Sequence, residues 1–285
     1  MLQQILDDWP HWQLCSEAPT LDDISPLPGG LTNHCYLLRL PEGDYVLRVE
    51  GRNSRALDIN RAAELTIHHL VADQGLTPVI RFRSESGHYW IRDYVPGTPL
   101  TNPQLDLRLL LTMAQQLQQL HQLCPPAGIP KLSISEKAGH YWDIINAQFA
   151  IMDRMTAAAD ELLALRGPLQ SLLSGAPDNQ RCLCHMDPTA PNWIQTADNK
   201  LVLLDWEYAA IGHPLWDLAA LLQGVDLSAD DEQTLLQAYG LKHYRGWEFA
   251  KTQMSYLAAL WYRAQGLWSD RELIAYLNGL KALAE

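Results

Sequence analysis

Apolar residues in the first hundred positions come in short runs rich in β-branched and aromatic side chains. HCYLLRL (34–40) and YVLRV (45–49) are separated by Pro41-Glu42-Gly43-Asp44, a turn sequence, so the pattern predicts an antiparallel hairpin. A helix is expected from a cap at Asp58 to about Asp73, ended by Gly75, and HYWIRDYVPG (88–97) then reads as a strand stopped by Pro96-Gly97. Beyond residue 101 the period changes. Thr101-Asn102-Pro103 supplies a cap with proline in the first turn, after which Leu105, Leu109, Met113, Leu117 and Leu120 recur at helical spacing. Most of the remaining chain reads as helix, except CHMDPTAPNWIQTADNKLVLLDWE (184–207). There, Trp193 to Gln195 and Leu201 to Leu204 flank TADNK, which predicts a second hairpin with Asn192 and Asp205 at its outer ends. The fold class is α+β. A small antiparallel β-rich N-terminal lobe over residues 1–97 precedes a larger, mainly helical C-terminal lobe over 98–285.

Composition narrows the partners. With 285 residues, 47% of them apolar, the chain can bury a sizeable core. It contains no run of about 18 apolar residues, so no membrane span is expected. The opening MLQQILDDWPHW has no basic start leading into an apolar stretch, and the expected location is the cytoplasm. Five irregularly spaced cysteines read as reduced thiols and not as a disulfide framework. A formal net charge of −12 opposes nucleic acid and anionic lipid and favours small cationic partners.

That charge gives meaning to the acceptor side chains of 184–207. Cross-strand neighbours lie about 5 Å apart, so Asn192 and Asp205 are expected to meet at one end of the hairpin. An amide oxygen and a carboxylate suit a hard cation such as Mg²⁺, with Asp187 on the loop that leads in. A carboxylate beside such a metal is the layout of phosphoryl transfer. Cys182, Cys184 and His185 lack a fourth ligand at zinc spacing.

HMDPTAPN resembles the H-x-D-x-x-x-x-N catalytic loop of kinase-like folds, and LLDWEYAAIGHPLWDLA resembles the corresponding segment of aminoglycoside phosphotransferases and of choline and thiamine kinases. GGLTN, YVLRVEG, NRAAE and IRDYVPG extend the resemblance through most of the first 220 residues. It implies a bilobal protein-kinase-like fold with ATP between the lobes. The phosphates would be held by Arg48 and by the loop carrying Gly29, Gly30, Thr32 and Asn33, the adenine by main chain at Asp93, Tyr94 and Val95, and Mg²⁺ by Asn192 and Asp205. Asp187 would align the acceptor hydroxyl while keeping an ordinary low pKa. Protein kinases hold phosphates with a lysine, yet no lysine precedes Lys131, which leaves Arg48 for that role. Arg48 lies in an apolar strand and needs an anionic partner, for which Glu64 is the candidate, as in the family. His185 and Asp217 are expected to support the catalytic loop, and Glu207 to approach the metal or the substrate.

The implied activity is ATP-dependent phosphorylation of the primary hydroxyl of a small cationic metabolite such as thiamine or choline. The alternatives are an aminoglycoside phosphotransferase and a non-catalytic nucleotide-binding scaffold. Phe249, Tyr256, Leu260, Trp261, Ala264, Leu267 and Trp268 fall largely on one helical face, and Trp261 is the candidate for receiving a quaternary ammonium group by cation–π attraction.

Overall fold

In the computed structural model, which describes residues 1–28, 32–51, 57–150, 156–241 and 245–284, strand β1 (Ile24–Pro26) leads into the first hairpin. Strands β2 (Asn33–Leu40) and β3 (Gly43–Glu50) pair antiparallel, with Leu40 opposite Gly43 across the Pro41-Glu42 turn. Alternation along β3 sends Leu47 and Val49 into an apolar cluster with Ile5, Leu6 and Trp12, which lie in or just after helix α1 (Leu2–Leu6). Each fully buried Leu or Ile there contributes about 2 kcal/mol. Arg48, between those two residues, points to the other face, where helix α2 (Arg61–Asp73) lies.

The α2 cap differs from the expectation. Asn60, not Asp58, accepts the Ala63 N–H at 3.0 Å, and Asp58 sits before the helix with φ +55°. Strands β4 (Ile80–Arg83) and β5 (Tyr89–Asp93) complete a five-stranded sheet of order β1-β2-β3-β5-β4.

Two compact units emerge, one of Met1–Pro99 with Ile194–Leu204, the other of Leu100–Trp193 with Asp205–Glu285. The expected boundary at 97/98 runs through strand β6 (Gly97–Pro99). The second predicted hairpin groups with the first unit because β6 pairs with its first strand in a three-stranded sheet. Gly97 makes that approach possible, since a Cβ there would lie 2.5 Å from the Gln195 carbonyl oxygen.

The second unit is mainly helical. It contains α3 (Leu107–His121), α4 (Ile134–Ala150) and α5 (Ala157–Leu172), then β7 (Cys182–Cys184). The hairpin strands β8 (Trp193–Thr196) and β9 (Leu201–Leu203) come next in the chain, followed by β10 (Ala210–Gly212), α6 (Pro214–Leu221), α7 (Ala229–Tyr239), α8 (Trp247–Ala264) and α9 (Asp270–Ala284). Helix α8 packs on α4, α6 and α9. Its buried polar atoms are partnered: Trp142 Nε1 donates to Tyr256 Oη at 2.8 Å, and Trp216 Nε1 to Gln253 Oε1 at 2.7 Å. Among the described residues no helix is long and apolar enough to cross a membrane.

Candidate active site

Arg48 carries its charge on a central strand, and burial there requires compensation. Its Nη1 lies 2.7 Å from Glu64 Oε1, both side chains being 6% exposed, and the guanidinium sits 4.9 Å from the centre of the Trp90 ring. Glu64 is shared, because Arg61 Nη1 donates to its Oε2 at 2.7 Å. Arg61 also donates to Asn33 Oδ1 at 2.8 Å and approaches Glu50 at 3.4 Å. Burial raises the Glu50 pKa, partly offset by Arg61. Arg61 was not singled out from the sequence, although it lies one turn before Glu64 on α2.

Around this cluster, the Asn33 side chain is committed to Arg61 and to Thr32 Oγ1. Thr32 itself is pressed against Gly51, where a Cβ would lie only 1.9 Å from the Thr32 carbonyl oxygen, so only glycine lets the two chain segments touch. Gly29 and Gly30 lie outside the described residues. The expected adenine-binding positions lie at the end of β5 and just beyond it. Asp93 pairs with Arg81 through two contacts of 2.7 and 2.8 Å, and the Tyr94 N–H donates to Asp44 O at 3.2 Å. Val95 follows, buried.

In the second unit β7 pairs with β10 and delivers His185-Met186-Asp187 from its end. The carboxylate of Asp217, in the first turn of α6, holds the turn. Its Oδ2 accepts the His185 N–H and its Oδ1 the Met186 N–H, each at 2.7 Å. This is the bracing expected of Asp217. It also accepts from His121 Nε2 at 2.9 Å, and His121 Nδ1 takes the Tyr239 hydroxyl at 2.6 Å. His185 supports the loop as expected, its Nδ1 accepting the Asp187 N–H at 3.2 Å while its ring packs edge-on against Trp206 at 4.6 Å. Met186 and Asp205 both adopt left-handed backbone, φ +70° and +66°. For Met186 that conformation is costly, and the Asp217 hydrogen bonds hold it there.

Asn192 Nδ2 donates to the Asp187 carbonyl at 2.8 Å and to Asp187 Oδ2 at 2.9 Å. Both contacts use its amide nitrogen, which leaves Oδ1 out of the pairing with Asp187. Thr189 Oγ1 donates to Asp187 Oδ1 at 3.1 Å. Burial pushes Asp187 up to about 6, against the lowering effect of Thr189 and Asn192, and the charges of Glu207 and Asp217 add to the rise. The expectation of an ordinary low pKa is thus corrected. Carboxylate oxygens of Asp205 and Glu207 lie within 4.8 Å of each other. Two carboxylates this close repel each other, and their oxygen donors fit a hard divalent cation.

Helix α8 ends at Ala264, so Leu267 and Trp268 fall outside the predicted face, and Tyr256, Leu260 and Ala264 are core. Trp261 instead donates from Nε1 to Tyr208 Oη at 2.9 Å. Burial raises the Tyr208 phenol, as do the nearby Tyr141, Glu207 and Asp187. Lys137 Nζ lies 5.5 Å from the Tyr141 ring centre and 5.4 Å from that of Tyr208. Neither Lys137 nor Tyr141 was recognised from the sequence, where they read as one turn of an ordinary helix.

His121, Cys182 and Cys184 bring potential ligand atoms within 4.8 Å, a different trio from the Cys182, Cys184 and His185 seen in sequence. Both His121 nitrogens are committed to Tyr239 and Asp217, and burial holds the Cys184 thiol well above its ordinary pKa, so the trio reads as packing.

Residues 23–252 match the family model described as the phosphotransferase enzyme family. A LicA homolog from Mycoplasma capricolum is 25% identical over 77% of this chain and 82% of its own length. Choline kinase LicA from Streptococcus pneumoniae superposes with a TM-score of 0.75 at 21% identity, covering 99% of each chain. An ethanolamine kinase from Plasmodium vivax gives 0.73 at 18% identity over 92% of this chain and 82% of that one. The antiparallel sheet followed by a helical part is therefore a kinase-like fold, and with a family match over most of its length this chain belongs to the phosphotransferase enzyme family.

Proposed function

We propose that the chain is an ATP-dependent kinase for the primary hydroxyl of a small cationic alcohol, of the choline, ethanolamine or thiamine kind. The observation that carries this reading is the arrangement at Asp187. Asn192 and Thr189 fix its carboxylate, and the loop beneath hangs on Asp217. The family match and the choline and ethanolamine kinases of like fold support it.

Asp187 accepts the hydrogen bond of the acceptor alcohol and aligns its oxygen for in-line attack on the γ-phosphorus. Burial raises the pKa of its carboxyl, which makes it more basic toward the proton released as the new P–O bond forms. Asn192 Oδ1, Asp205 and Glu207 are the residues that would hold Mg²⁺, which when bound neutralises phosphate charge. Arg48, kept flat by Glu64 and Trp90, and the loop around Thr32 serve the phosphates, while the main chain at Val95 serves the adenine. Trp261 steadies Tyr208 in the acceptor site.

The test is ADP release from ATP and Mg²⁺ with choline, ethanolamine, thiamine and an aminoglycoside in parallel. Turnover on a cationic alcohol supports the proposal. Turnover on the aminoglycoside alone moves the chain to the resistance enzymes, and ATP binding without turnover on any acceptor overturns the kinase reading in favour of a scaffold.

A further inference from the structure

Two tyrosine rings, one on α4 and one in the segment after Asp205, share a single ammonium group. Lys137 and Tyr141 are one helical turn apart on α4, and the Lys137 Nζ lies within cation–π range of both Tyr141 and Tyr208. Tyr141 is 4% exposed and Tyr208 is fixed through its hydroxyl by Trp261, so both rings are held in place. Tyr208 directly follows Glu207 in the chain, in the segment that opens at Asp205, and the charges of Glu207 and Asp187 both reach its phenol. A cation between two tyrosines and near two carboxylates has the environment a quaternary ammonium acceptor needs.

We infer that Lys137 is a tethered stand-in for the acceptor's cation: its ammonium occupies the Tyr141–Tyr208 site, and a cationic acceptor must displace it. This rests on the cationic-alcohol reading above and deepens it by naming the residue that sets the acceptor's apparent affinity. The ammonium must leave the rings before any acceptor can take its place, and two like charges cannot share one pair of rings without repulsion, so the lysine raises KM for every acceptor of the site and most for cationic ones. Losing the competitor at two rings, each worth about 0.5–1 kcal/mol, corresponds to roughly tenfold in affinity.

The test uses the full chain and Lys137→Met, which keeps the stem length and removes the charge, with Lys137→Arg retaining it. Calorimetric titration with tetramethylammonium needs no turnover, and its Kd should fall roughly tenfold in Lys137→Met and stay near the original value in Lys137→Arg. KM for choline should fall in parallel, and further than KM for the uncharged isostere in which carbon replaces nitrogen. An equal fall for the charged and the uncharged acceptor would mean that lysine only obstructs the site, and the inference would be wrong. Unchanged or weakened tetramethylammonium binding in Lys137→Met overturns it as well. If the unaltered chain turns over no cationic alcohol, the kinase reading fails, and the tetramethylammonium titration still decides the role of Lys137.

Discussion

The surroundings of Arg48 and those of Asp187 solve opposite electrostatic problems. In the first unit, charges of both signs are gathered and cancel locally: Arg48 and Arg61 share Glu64, and Arg61 also reaches Glu50. In the second, Asp187 and Asp217 are held by hydroxyl, amide, imidazole and backbone N–H donors, and the carboxylates of Asp205 and Glu207 stand close to each other. A cluster neutralised from within favours the folded state only while intact. A cluster of carboxylates held by dipoles keeps its negative charge for a ligand, at a cost in stability. The two regions should therefore respond in opposite ways to substitution.

The largest effect belongs to the second. Asp187→Ala and Asp205→Ala should each lower turnover by about 10²–10⁴-fold with an unchanged circular dichroism spectrum. Asp187→Asn should lose comparable activity while melting a few degrees higher in chelator-treated protein, because it removes a charge that burial disfavours. A lower melting temperature for Asp187→Asn would erase the proposed contrast between the regions.

Next comes the ion cluster, where Glu64→Ala strips the anion from two buried or half-buried guanidinium groups and should destabilise by about 3–5 kcal/mol in urea unfolding. If Glu64→Ala unfolds at the same urea concentration as the original chain, the cluster is not a structural unit.

The smallest effect is on pH dependence. Burial holds His68 at about 4, assisted by the charges of Arg92 and Arg48, although its Nε2 donates to Pro78 O at 2.8 Å. An unfolded chain takes up this proton near pH 6.5, so between pH 6.5 and 4 the unfolded state binds more protons. Stability is therefore complete above pH 6.5 and is lost as pH falls toward 4, by at most about 3 kcal/mol. Melting curves at pH 7 and pH 5 should differ less in His68→Gln than in the original chain. An equal slope would assign the acid sensitivity to other groups.

What the sequence revealed depended on how local the cause was. The β2–β3 hairpin was legible because alternation and a turn sequence are properties of neighbouring residues. The Arg48–Glu64 pair was legible because an arginine inside YVLRV demands an anion, and the resemblance indicated which one. The α2 start was misread because Asp58 and Asn60 are both good caps, and only the backbone decides which of them closes the first turn. The grouping of residues 194–204 with the first unit was hidden, since the partner strand β6 lies far upstream. Lys137 was invisible for the same reason: its relation to Tyr208 joins segments that no short-range pattern connects.

The attachment of the His185–Asp187 turn has an evolutionary corollary. Its hydrogen bonds run through Asp217 to His121 and Tyr239, on α6, α3 and α7, whereas Tyr208 is contacted by Lys137 on α4 and Trp261 on α8. Substitutions on α4 and α8 can thus change what surrounds Tyr208 while the His185–Asp187 turn keeps its shape from separate helices, an arrangement by which one fold can come to serve several substrates.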